Sequence, residues 1–524
     1  MRTKRRQILK AGLGAGSLFL PAPWAWVWAQ SDGALKLLRA PKVALVIGNG
    51  KYKDAPALKN APNDATAIGA ALKSAGFEVT LKLDTGREQM LEAIRAYVHI
   101  MEQKKHVGLF YFAGHGVQLD WRNYLLPIDA VIDKLEDVAK QSVDIARLME
   151  GLTKAANPMN VIILDACREN PFGTAKPVAQ KGLSQMDAPT QTILAYATSP
   201  GNVASDGDGA NGLYTENLLR EIKVPEAKIE DVFKRVRLGV RRKSNGAQIP
   251  WESTSLEEDF WFIPPKELKK LSDAEKDRAF KEELALWERI QKSTEPGPFE
   301  DYLRRYPSGD FAEMAQLMLD RALAKQGEKR VEIVNAAANP FTKGSARTDT
   351  RYQVGDTYVF RESDLYTKLA QPDATATITQ ITDNEVHWSD GRILDLLGNP
   401  LRFRDGRRYS PNQIAPAEFA VGKQWTTRFI LTNKFGEFRT EVDLKIAARE
   451  RVTVPAGTFD AFRVEGHGLA VGPVVATQQS KIWYAPEQVR VPIAGETIRR
   501  ARQSRGFENV IESTRRELVS FKQA

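Results

Sequence analysis

Val161-Ile-Ile-Leu-Asp-Ala-Cys-Arg-Glu-Asn170 is the stretch on which the fold turns. Its uninterrupted apolar start reads as a strand covered on both faces, the habit of parallel sheets. It ends in an acid, a small residue and Cys167, the only cysteine of the chain. A second run, Val107-Gly-Leu-Phe-Tyr-Phe-Ala113, ends in Gly114-His115-Gly116. In a parallel α/β sheet, groups just past the carboxyl ends of neighbouring strands line one crevice. A thiol beside an imidazole there is the minimum equipment for covalent catalysis. Taken alone, Cys167 reads equally as a small buried apolar residue, the common fate of a free cysteine. The glycine-flanked His115 at an equivalent strand end favours nucleophile and base.

Outward from these runs, strand and helix patterns alternate over residues 41–263. Strands are expected at Lys42–Ile47, Phe77–Leu83, Val107–Ala113, Val161–Leu164 and Thr192–Ala197. Between them fit a helix capped by Asn63-Asp64 and another opened by Thr85-Gly-Arg-Glu88 as a capping box. Further helices fit Asp144–Lys154, Leu213–Ile222 and Ile229–Ser244. The alternation predicts an α/β fold: a doubly wound, mostly parallel sheet with helices on both faces. Residues 266–327 form a short helical segment, opened by the capping box Ser272-Asp-Ala-Glu275 and similar to a tetratricopeptide-type hairpin. Residues 350–522 read as a C-terminal antiparallel β domain, with turns at Asp383-Asn384, Ser389-Asp-Gly391 and Asn433-Lys-Phe-Gly436.

The N-terminus carries an export pattern over residues 1–29. Arg5-Arg6-Gln7-Ile8-Leu9-Lys10 resembles a twin-arginine signal, an apolar stretch follows, and Val27-Trp28-Ala29 suits cleavage before Gln30. The expectation is a bacterial periplasmic or secreted protein with no transmembrane span after signal removal. An uncleaved anchor is disfavoured by the prolines and by an apolar core short of the ~20 residues a span needs. An exported chain with one cysteine has no internal disulfide, so Cys167 is not a staple. The net charge of +9 falls to about +4 without the five basic residues of the signal, a poor basis for nucleic-acid binding. No His-Glu-x-x-His occurs, one cysteine excludes thiolate zinc sites, and Gly48-Asn-Gly50 lacks the dinucleotide fingerprint. No cofactor is expected.

Residues 41–263 resemble a caspase-like (clan CD) peptidase domain, of the prokaryotic metacaspase-like branch. The resemblance rests on Val43-Ala-Leu-Val-Ile-Gly-Asn49 with Tyr52, Asn63-Asp64-Ala65, Tyr111-Phe-Ala-Gly-His-Gly-Val117 and Asn123-Tyr-Leu-Leu-Pro127 with Asp129. It continues in Leu164-Asp-Ala-Cys-Arg168, Ala195-Tyr-Ala-Thr-Ser199 and Gln248-Ile-Pro-Trp-Glu252. The spacing from His115 to Cys167 is close to the roughly 50 residues of caspases. The resemblance implies a Cys/His dyad, Cys167 and His115, with the Gly116 backbone as oxyanion donor. It implies protein or peptide substrates; separately, the helical segment and the β domain are expected to supply protein or envelope-component contacts.

Asp165 stands where animal caspases carry glutamine, and a carboxylate there suits an Arg or Lys before the cut. A residue that merely orients its loop is the alternative. Metacaspases carry a second acid on the loop after the next strand. Here that position is Asn202, with Asp206 or Asp208 as substitutes, either of which also reads as a plain turn residue. Calcium activation is a family property that no motif here supports, since Asp206-Gly-Asp-Gly209 fails the EF-hand pattern. The loop 173–191, with Lys176 and Lys181, is a candidate for autoprocessing or a plain flexible loop. The competing function is a catalytically silent or conditional caspase-fold scaffold that presents the helical and β domains.

Overall fold

The structure is a computed structural model that describes residues 33–103, 105–167, 183–199, 209–268, 271–328, 345–502 and 508–524. The export segment, the first part of the 173–191 loop, Asn202, Asp206 and Asp208 lie outside the described residues.

After a helical stretch over 33–39 (α1), the first domain runs β1 (Lys42–Gly48), α2 (Ala61–Ser74), β2 (Glu78–Leu83), α3 (Arg87–Gln103), β3 (Val107–Leu119) and β4 (Arg122–Leu125). It continues through α4 (Leu135–Gln141), β5 (Val143–Asp144), α5 (Ile145–Ala155), β6 (Met159–Cys167), β7 (Thr192–Tyr196), α6 (Leu213–Ile222), α7 (Ile229–Lys243) and β8 (Trp251–Thr254). The sheet order is β2-β1-β3-β6-β7-β8, parallel except for β8, and β4 pairs with the far end of β3. Strand alternation divides the core in two. Ala44, Val46, Leu109, Tyr111, Val161 and Ile163 face α2, α6 and α7. Leu45, Ile47, Phe110, Phe112, Ile162 and Leu164 face α3 and α5. The doubly wound reading of the sequence is met.

Two helix starts differ from expectation. α2 begins at Ala61 with Pro62 in its first turn, because proline presets the helical φ and its missing N–H costs nothing there. Asp64 therefore does not cap; it is buried, its Oδ1 accepting from Asn211 Nδ2 at 2.8 Å and Gly212 N at 3.0 Å. Thr85 is likewise turned inward, its N–H and Oγ1 donating to Asn49 Oδ1. The Ser272–Glu275 capping box forms as expected, at the start of α8 (Asp273–Ile290).

α9 (Pro296–Arg305) and α10 (Ala312–Lys325) follow, and Trp287 stacks on Phe311 at 5.8 Å. Twelve antiparallel strands over Thr357–Lys522 then close a barrel. The helices and the barrel share one core, in which Trp287, Phe299 and Leu319 meet Tyr358, Trp388 and Phe459. A two-stranded ribbon, Ser345–Arg347 with Glu418–Ala420, stands outside the barrel sheet.

Candidate active site

β3 and β6 are the central strands, and their register brings Ala113 opposite Asp165 and His115 opposite Cys167. Gly114-His115-Gly116 was expected just beyond a strand. Instead β3 runs on to Leu119, and the His115–Cys167 pair is the last of its ladder with β6. Glycine here does not end the strand; it makes room. A Cβ on Gly114 would lie 2.5 Å from the Tyr52 hydroxyl, and one on Gly116 would lie 3.0 Å from Leu183 Cδ2 and 3.1 Å from Ala166 Cβ.

His115 is buried and held from two sides. Its backbone N–H donates to Tyr52 Oη at 2.8 Å, and the two rings lie 4.6 Å apart. Its Nε2 is 2.7 Å from the carbonyl of Pro56. A carbonyl only accepts, so Nε2 carries a hydrogen and any proton exchange by the ring falls to Nδ1. The carbonyl of Ala113 accepts from Asn49 N, and that of His115 from Leu126 N, both away from β6. Backbone groups alternate sides along a strand, so the N–H of Gly116 is turned to the β6 side, where Cys167 ends its strand.

Asp165 lies two positions before Cys167. Tyr111 Oη donates to its Oδ2 at 3.1 Å and Thr215 Oγ1 at 2.6 Å. Burial, then the charges of Asp165 and Asp64, push the Tyr111 phenol well up, so it remains a donor. The same burial and the charges of Asp165 and Glu252 raise Tyr214. Two carboxylates thus surround one buried phenol at the N-terminal end of α6. Sequence reading looked for the second acid after β7. From the sequence Asp64 reads as a helix cap and as part of the Asn63-Asp64-Ala65 motif, and neither reading marks it as an acid beside Tyr111.

The 183–191 half of the expected flexible loop is corrected. Leu183 and Met186 are buried in the α3/α5-side core. Ser184 exchanges two hydrogen bonds with Asn123, N to Oδ1 at 2.6 Å and Nδ2 to O at 2.8 Å. Apolar anchors and a backbone-like amide clamp hold this stretch down. Among the described residues, no cluster of three or more His, Cys, Asp or Glu is placed to hold a metal ion, and no helix is long and apolar enough to cross a membrane.

A mostly parallel sheet whose two central strands bring a histidine and a cysteine into register at the end of their shared ladder has the residue types that covalent catalysis by a thiol needs. Residues 41–261 match the caspase domain model, which describes a family of cysteine peptidases. It is similar to mucosa-associated lymphoid tissue lymphoma translocation protein 1 of Homo sapiens, at 27% identity over 195 residues, covering 36% of this chain and 23% of the human protein. The Mus musculus homolog of that protein is 27% identical over 195 residues, covering 36% of this chain and 22% of the mouse protein. The chain therefore spans less than a quarter of the length of these relatives.

Proposed function

We propose that the protein is a cysteine endopeptidase that cuts after Arg or Lys. The observation that carries this is the in-register pair His115 and Cys167, with Nε2 of His115 committed to Pro56 and Nδ1 left as the base. In this reading Nδ1 takes the thiol proton and the thiolate of Cys167 attacks the peptide carbonyl carbon. The oxyanion that forms accepts from the Gly116 N–H. The C–N bond breaks as the imidazolium returns its proton to the leaving amine. Water, deprotonated by the same nitrogen, then hydrolyses the thioester and frees Cys167.

Asp165 and Asp64 supply the negative field that suits a guanidinium or ammonium side chain before the cut. Asp206 belongs to the same pocket in this reading, as an acid on the loop after β7. Export by the N-terminal signal places the enzyme in the periplasm or outside the cell. Autoprocessing, where it occurs, falls at 173–182 rather than in the docked 183–191 stretch.

The test is turnover of fluorogenic peptides ending in Arg, Lys or Asp by the purified mature protein. Release from Arg and Lys peptides, lost in Cys167→Ala, is the expected result. Silence on all three, with no labelling of Cys167 by a thiol-directed peptide probe, sinks the peptidase reading in favour of the scaffold. Asp64→Asn should lower kcat/KM for Arg peptides about tenfold while sparing a neutral one; equal losses on both would remove Asp64 from the pocket.

A further inference from the structure

The ribbon Ser345–Arg347/Glu418–Ala420 belongs to neither the peptidase sheet nor the barrel sheet, yet it touches both. Its register pairs Phe419 with Ala346, and pleating puts these two on one face. That face is sunk in the barrel core with Phe429, Leu444 and Phe462, and the Phe419 ring lies 5.2 Å from Phe462 and 5.1 Å from Tyr484. The other face carries Ser345, Arg347 and Glu418 toward the first domain. Arg347 pairs with Glu418 at 2.8 Å. Burial raises the Glu418 carboxyl, but Arg347 and Arg237 of α7 outweigh it and leave it below the ordinary range.

Ser345 is the residue of interest. Its Oγ accepts from Gln185 Nε2 at 3.2 Å and donates to Asp187 Oδ1 at 2.6 Å. One hydroxyl thus ties two residues of the stretch that leads into β7 to the root of the C-terminal domain. The same stretch is fixed at Ser184 by Asn123 and at Ala188, whose N–H donates to Ser253 Oγ at 3.1 Å. Its first described residue, Leu183, lies directly against Gly116, next in sequence to His115, and shares the α3/α5-side core with Ala166, next in sequence to Cys167. The load path therefore runs from the barrel core through Phe419, Ser345 and residues 183–187 to the backbone that flanks both candidate catalytic groups.

We infer that Ser345 is a positioning residue by which the C-terminal domain holds residues 183–188 against the ends of β3 and β6 and so keeps the candidate site competent. This rests on the peptidase reading for its kinetic consequence, but not for its structural one. The hydroxyl both accepts and donates, so alanine breaks both bonds, whereas threonine keeps them in a strand position that favours β-branching.

The experiment uses the full mature chain as wild type, Ser345→Ala and Ser345→Thr. Three quantities are read: hydrogen exchange of the 183–189 amides, kcat and KM on an Arg-ending peptide, and the pH midpoint for alkylation of Cys167 by iodoacetamide. Ser345→Ala should speed exchange at 183–189 about tenfold and lower kcat about tenfold with KM within twofold. It should also move the alkylation midpoint upward. Ser345→Thr should restore all three. Unchanged exchange at 183–189 overturns the inference. So does faster exchange with unchanged kcat and midpoint, or a rise in kcat, which would make the contact a restraint. If the wild type turns over no peptide but Ser345→Ala still shows the exchange and midpoint changes, the peptidase reading fails and the positioning role stands.

Discussion

The parallel sheet of the caspase-like domain and the closed barrel of the C-terminal domain distribute their polar groups in opposite ways. β3 is buried along almost its whole length, and so is β6 up to Asp165. A polar side chain is costly in such surroundings, so the candidate pair sits where the β3–β6 ladder ends, with the buried His115 bonded to Tyr52 and Pro56. The barrel strand Gly436–Val454 instead buries Val442, Leu444 and Ile446 in alternation with more exposed neighbours. Its polar residues form ladders, not sites: Lys445, Glu465, Lys481, Glu496 and Arg515 stand in register across five strands with alternating charge. Neighbours of this kind, such as Arg515 and Glu496 at 2.5 Å, are each worth well under about 1 kcal/mol when half-exposed. A polar residue at the end of a doubly covered strand is thus evidence about function, and one along a barrel wall is evidence about pairing.

The sharpest way to break this contrast is His115→Ala. Removing the base should cost at least about 10³-fold in kcat/KM on an Arg-ending peptide. A loss of tenfold or less would mean that His115 is structural, like the barrel polar groups. The next largest effect belongs to the other region. Phe419→Ala empties a fully buried ring site between ribbon and barrel and should cost about 3–5 kcal/mol of stability in urea unfolding. Because the ribbon also carries Ser345, that variant should lose peptide turnover below its unfolding transition. Unimpaired turnover there would show that the two regions are independent after all.

The difference between the regions also decides what was legible in the sequence. Val107–Ala113 and Val161–Leu164 announce doubly covered strands, and His115 and Cys167 follow these runs closely in sequence, where the ladder brings the two into register. The anchor on His115 was out of reach, because the Pro56 acceptor is a backbone carbonyl and carries no residue-type signal. The continuation of β3 through Gly114 and Gly116 was hidden because glycine usually marks an end, whereas here it admits Tyr52 and Leu183. Docking of 183–188 depends on Ser345, far along the chain, and no local pattern encodes such a partner. Closure of the barrel was equally silent, since several of its strands, such as Arg408–Tyr409, are too short to carry an alternation. The helical segment read well as helices, but its shared core with the barrel lies in packing, not in periodicity.

The smallest expected effect tests the seam between those helices and the barrel. Asp310 precedes α10 and is buried against the barrel strand that carries Arg428; its Oδ1 accepts from Arg428 N at 2.9 Å. Burial, reinforced by the Glu283 charge, pushes its carboxyl up to about 7, although Arg428 works against the shift. In the unfolded chain the same group titrates near pH 4. Between those values the folded state holds a proton that the unfolded state has released, so this group's contribution is full below about pH 4 and is lost as the pH rises through about 7. Asp310→Asn keeps the Oδ1 acceptor and removes the titration. Relative to wild type it should gain stability steadily from pH 4 to 7, by at most about 1.4 kcal/mol per pH unit. Urea unfolding of both proteins at pH 5 and pH 8 reads this directly. Parallel stability profiles would mean that Arg428 holds Asp310 ionised throughout, and that the seam is an ion pair in the manner of the barrel ladders rather than a buried neutral acid.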